Sequence, residues 1–266
     1  MRARFFLYGL VGALFAPDAL AWGLQTHVFL AQWLLAAAPF ADPQIRGAVQ
    51  RLPRLVLAGA CLPDLALAGR ALGLSAFRRA HQWSTLRRLA AACWDEERAI
   101  AVGYASHLLA DVVAHNRFVP EHERRILDVP HLTHAMCEWA MDERVKRALE
   151  VEPSALLADE RATLIEAAAR TFACPMASAG KAIRFLGRAE WMLRASRLPV
   201  LCTPFLFDAE VYVGEAKALV RQVEAVLQGA EPRLQPDPEE SRNQAMVKEA
   251  PAISAPSAPP AITSLG

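Results

Sequence analysis

The chain has 266 residues, 54% of them apolar, with 29 Lys and Arg against 28 Asp and Glu. That is enough apolar side chain to fill the core of one large domain or two small ones. A net charge of +1 with no basic block excludes a dedicated nucleic-acid scaffold, because neutralising phosphates normally leaves a basic surplus.

The first segment reads as a secretory signal. Arg2 and Arg4 give a positive start, residues 5–16 are apolar, and Ala19, Leu20 and Ala21 form a small-x-small cleavage site. The apolar run is shorter than the roughly 20 residues a spanning helix needs, which favours cleavage before Trp22 over a retained anchor. A secreted or periplasmic protein is expected.

Over residues 22–228 apolar side chains recur at helical spacing and no run alternates as a strand would. The expected fold is all-α, a single multi-helix domain. Thr26 is placed to cap a first helix to about residue 38, with Val28, Leu30, Ala31, Leu34 and Leu35 as its buried stripe. Asp42, followed by Pro43, starts the second. Asp64 follows Pro63 in the apolar stretch AGACLPDLALAG, where it either caps a helix from Leu65 or serves as a ligand. His81 precedes Trp83 and, taken alone, fits a surface position or an interhelix hydrogen bond as well as a site.

Ser84 and Thr85 can cap a helix to about residue 93, and Asp95, Glu96 and Glu97 open a long one over 95–117, with Pro120 beyond its end. Within it lies GYASHLLADVVAHN, residues 103–116, where His107, Asp111 and His115 recur every fourth position. Residues four apart in an α-helix share a face. One face would therefore carry imidazole, carboxylate and imidazole among apolar neighbours. Burying these groups is costly without partners, and a divalent metal suits both ligand types; a satisfied pair of core histidines is the plainer alternative.

A second helix over 131–149 carries His134 and Glu138, again four apart, beside Leu132, Ala135, Met136, Trp139 and Ala140. Helices expected at 153–172, 177–193 and 207–228 read as core, with Glu190 and Asp208 solvated or capping. The end of the chain, residues 229–266, holds seven of the eighteen prolines and is expected to be disordered. Cys61, Cys93, Cys137, Cys174 and Cys202 show no CxxC spacing, and an odd number leaves at least one unpaired.

The order of these pieces resembles the zinc-dependent phospholipase C and S1/P1 nuclease superfamily: Trp22 to His27 as WGLQTH, Pro63-Asp64, His81, His107-x3-Asp111 and His134-x3-Glu138. The resemblance implies an all-helical fold with three zinc ions. One would take Asp64, His81, His107 and Asp111; a second His115, His134 and Glu138; a third the α-amine and carbonyl of Trp22 with His27 and Asp111. Cleavage before Trp22 would then create a ligand. Better-known members place five residues between the bridging Asp and the next His, where this chain has three and carries Arg117 at the familiar position. His122 and His131 are fallback ligands for that second site.

The resemblance further implies phosphodiester hydrolysis by a metal-activated water that Asp64 orients or deprotonates. No G-x-S-x-G or P-loop motif is present. The expected substrate is a glycerophospholipid at a membrane surface, cut on the glycerol side of phosphate. The alternatives are a nuclease acting on single-stranded nucleic acid, with Trp83, Trp94, Phe77 and Phe118 as base-stacking shelves, and a non-catalytic metal-binding protein. No protein partner is inferred. Gln25 stands where choline-specific members carry an acidic residue, so a cationic head group is not implied.

Overall fold

Asp95, Glu96 and Glu97 occupy the first turn of a helix whose amino-terminal partial positive charge suits them. The 19 residues they open (α6, Asp95–Val113) are the axis of the fold. The computed structural model describes residues 23–92, 94–126 and 130–230, without the side chains of Pro130 and His131. Trp22, Cys93, the signal segment and residues 231–266 lie outside the described residues. Every regular element among the described residues is helical, as expected.

Before the axis come α1 (Leu24–Ala37), α2 (Pro43–Arg51), α3 (Pro53–Gly59), α4 (Leu65–Leu72) and α5 (Trp83–Ala90). After it come α7 (Val119–Arg125), α8 (Pro130–Val145), α9 (Pro153–Asp159), α10 (Arg161–Thr171), α11 (Met176–Ala195), α12 (Leu198–Cys202), α13 (Ala209–Val220) and α14 (Val223–Leu227). Asp42 caps α2 as expected, accepting from the Gln44 and Ile45 N–H groups at 2.7 and 3.1 Å. No helix among the described residues is long and apolar enough to cross a membrane.

From residue 99 to 111 the axis is buried on every side, packed against α1, α2, α3, α5, α13 and α14. The approach of α3 is the closest physical constraint. A Cβ on Gly103 would lie 1.8 Å from the Val56 carbonyl oxygen, and one on Gly59 2.4 Å from that of Ile100. The two backbones touch because neither has a side chain there. This contact brings the end of α3, with Ala60, beside the turn of α6 that carries His107.

Several local expectations need correction. Ser84 and Thr85 do not cap α5, which begins at Trp83 with Gln82 at the cap position and no side-chain cap. The long helix does not run straight to 117: Ala114–Phe118 is a π-helical turn, and α7 continues from Val119 with Pro120 in its first turn. Proline has no N–H to return to residue 116, so the α ladder cannot pass it unbroken, and a wide turn absorbs the mismatch. Thr26 does not cap α1. The helix begins at Leu24, and its first turn is held by Asp142 of α8, which accepts from Thr26 N at 2.9 Å and Thr26 Oγ1 at 2.7 Å. Glu190 is not solvated: it is buried and accepts from Gln25 Nε2 at 3.3 Å.

Candidate metal centre

Three stretches meet at residue 107. α6 supplies His107 and Asp111 one turn apart; the turn before α4 supplies Asp64; the segment before α5 supplies His81. Asp64 stands at the cap position of α4 but makes no capping hydrogen bond, so its carboxylate is turned elsewhere. His81 Nε2 lies 3.6 Å from Asp64 Oδ1 and 3.5 Å from Asp111 Oδ2. His107 Nε2 lies 3.1 Å from Asp111 Oδ2, 3.9 Å from Asp64 Oδ1 and 3.3 Å from His81 Nε2.

Donors at the corners of a tetrahedron with zinc bonds of about 2.0–2.1 Å sit about 3.3–3.4 Å apart. The five separations found here, 3.1 to 3.9 Å, bracket that edge, so the residues fit such an ion. The tautomer fits too. His107 Nδ1 is 2.7 Å from the Ala60 carbonyl oxygen, which can only accept, so Nδ1 carries a proton and Nε2 is the ring atom left to face the cluster.

On the other side of Asp111, His27 Nε2 lies 3.3 Å from Oδ1, and the His27 ring stacks on His107 at 3.5 Å between centroids. The two oxygens of Asp111 thus face different partners. Burial works to raise the Asp111 carboxyl, but the His107 and His27 imidazoles outweigh it and hold it well below the usual range. Among the described residues, two groups bring one donor atom each within 4.8 Å of one another: Asp64, His81 and His107, and His27, His107 and Asp111. Trp22, expected beside the second group, lies outside the described residues.

The remaining set is looser. His134 Nε2 lies 3.1 Å from Glu138 Oε1, and the rings of His115 and His134 are 5.6 Å apart. His115 sits in the π turn and is open to solvent, which re-aims it relative to a continuous α face. Glu138 is buried, and its Oε1 accepts no hydrogen bond among the described residues. Burial first, then the carboxylates of Asp64, Asp142 and Asp111, drive its pKa well up. A cation beside it would relieve both costs. Arg117 points outward to Glu215 at 2.7 Å, so it does not reach this set.

His122 is not a ligand. It is buried, with Nδ1 donating to the Phe118 carbonyl at 2.8 Å and Nε2 accepting from Phe207 N at 3.4 Å, its ring stacked on Phe207 at 3.7 Å. His131, the other fallback, has no described side chain. Burial depresses the His122 pKa, so folding favours the neutral ring and the unfolded chain binds the proton more readily. The stability this contributes is complete above the unfolded value near 6.5 and is lost as pH falls below it. Melting temperatures of the protein and of His122→Gln at pH 7.5 and 5.5 should show a smaller acid-induced fall in the variant; equal falls would reject the assignment.

A family model described as zinc-dependent phospholipase C matches residues 26–179, more than half of the chain. The chain belongs to this family. The match runs from one residue before His27 to beyond Glu138, so this zinc-dependent phospholipase C family segment contains every candidate ligand except Trp22. No curated protein and no solved structure matches the chain.

Two groups that hold the centre of this family member in place were not legible beforehand. Tyr104, one turn before His107, is buried and donates its hydroxyl to the Ala80 carbonyl beside His81. Asp142, one turn beyond Glu138, fixes the first turn of the helix that carries His27. Tyr104 stands in an apolar stretch where no spacing marks it. For Asp142, the spacing His134, Glu138, Asp142 was the available signal.

Proposed function

We propose that the protein is an exported zinc metallohydrolase that cleaves glycerophospholipids on the glycerol side of phosphate. The observation that carries this reading is the convergence of Asp64, His81, His107 and Asp111 at tetrahedral-edge distances. These four would hold one ion; His115, His134 and Glu138 would hold a second; His27 and Asp111, with the carbonyl of Trp22 and its α-amine freed by cleavage, would hold a third. When bound, zinc supplies Lewis acidity toward phosphate oxygens and lowers the pKa of water toward neutrality. Asp64 orients the attacking water and takes its proton. His107, locked by the Ala60 carbonyl, and His81, backed by Tyr104 through Ala80, keep their nitrogens on the centre.

The aromatic residues support lipid over single-stranded nucleic acid. Phe77 and Phe118 are fully buried, and Trp83 packs on the core. Trp94 is exposed, but it precedes Asp95, twelve residues or about 18 Å along the axis from His107. The test is a side-by-side assay of the mature protein on phospholipid vesicles and on single-stranded DNA. Diacylglycerol and a phosphorylated head group are expected from the first, and no cleavage of the second; the reverse pattern would overturn the substrate. A protein with one additional residue before Trp22 should hold fewer zinc ions than the mature form. Equal metal content would show that the α-amine is no ligand.

A further inference from the structure

The outward face of α11 is chemically one-sided. Ala177, Lys181, Arg184, Arg188, Trp191 and Ala195 recur at steps of three or four, and all six are exposed. Lys181, Arg184 and Arg188 form no ion pair among the described residues. The one acidic residue of the helix, Glu190, faces the core near Arg194. At its carboxyl end the basic stripe meets apolar side chains held in water: Trp191 is 63% exposed and Leu201 68%, with Leu198 and Phe205 also exposed.

These residues are not a core that failed to close. In α12, Pro199 and Cys202 are buried, and Cys202 packs on Ala135 and Trp139 of α8. The helix is anchored by one side and shows Leu198 and Leu201 on the other. Ala135 and Trp139 lie about 100° round α8 from His134 and Glu138, so this anchored surface flanks the face that carries two candidate ligands.

From the charge and the apolar tip together, we infer that α11 and α12 form a docking surface for a bilayer carrying anionic head groups. Cationic side chains that form no ion pair among the described residues suit negative head groups, and a Trp with aliphatic residues suits the boundary beneath them. Exposed leucines offer nothing to a nucleic-acid backbone, which would need only the basic stripe and aromatic shelves. The inference rests on the phospholipid reading of the metal centre, to which it adds how that centre is brought to its substrate.

The test measures co-sedimentation of the full mature chain with phosphatidylcholine vesicles, with and without 30 mol% (about a third) phosphatidylglycerol. The anionic vesicles should bind at least about tenfold more protein at low salt. Lys181→Glu/Arg184→Glu/Arg188→Glu should erase that preference, and Leu201→Ser/Phe205→Ser should weaken binding to both vesicle types. Both variants should keep wild-type zinc content and wild-type hydrolysis of a monomeric short-chain phospholipid. Wild-type-like vesicle binding by the variants would overturn the surface, as would single-stranded DNA binding in place of vesicle binding. So would a change from dimer to monomer on Leu201→Ser/Phe205→Ser, which would mark a contact between copies. Hydrolysis of the soluble lipid without vesicle binding would sink the surface and spare the activity; vesicle binding through this face by a protein inactive on all phospholipids would do the reverse.

Discussion

Asp111→Asn is expected to remove more than one zinc ion per chain and to lower phospholipid hydrolysis by about three orders of magnitude or more. The reason is the division of its carboxylate, with Oδ1 facing His27 and Oδ2 facing His107 and His81. An amide of the same shape replaces one acceptor with an N–H₂ group that cannot ligate and removes the charge that offsets the cations. Losing several kcal/mol of transition-state charge stabilisation, at about 1.4 kcal/mol per factor of ten, gives the expected rate loss. Metal analysis and a diacylglycerol-release assay on the same preparation check it. Loss of a single ion would show that Asp111 does not bridge.

Gly103→Ala is expected to destabilise the protein by about 3 kcal/mol or more, seen as a fall of roughly 10 °C in melting temperature. The added methyl would lie 1.8 Å from the Val56 oxygen and 2.8 Å from Ala60 N, both backbone atoms, so α3 and α6 must separate. That movement carries the Ala60 carbonyl away from His107 Nδ1, and zinc affinity should fall with stability. Gly214→Ala is the control. Gly214 sits on the exposed side of α13 with nothing within 4 Å of a Cβ, and replacing a helical glycine there should stabilise by about 0.5–1 kcal/mol. Unchanged melting of Gly103→Ala would mean that the two backbones are not in contact.

The chain's periodicity made the helical fold and the first ligand cluster legible, because a helix turns i, i+4 spacing into a shared face. His107 and Asp111 followed directly from that rule. Asp64 and His81 lie outside helices, where no period places them, and the resemblance to a family pattern identified them. The π turn was hidden because widening depends on how Pro120 is accommodated rather than on any motif, and it displaced the expected alignment of His115. Glu190 departs from expectation because a carboxylate on an otherwise amphipathic helix usually faces water; here it meets Gln25 and Arg194 on the inward side. Burial, with Asp142 nearby, raises its pKa to about 8. The basic face of α11 is not legible in the sequence because its three cations are spread at helical spacing and form no linear block.

Diacylglycerol release from phospholipid by the mature protein, followed through chelation and zinc re-addition, tests the central claim most directly. Release should stop when metal is withdrawn, return when zinc is restored, and fail to return in Asp111→Asn. Release that persists in the metal-stripped protein, or a zinc-loaded protein that releases nothing, would contradict a zinc centre acting on phospholipid at these residues.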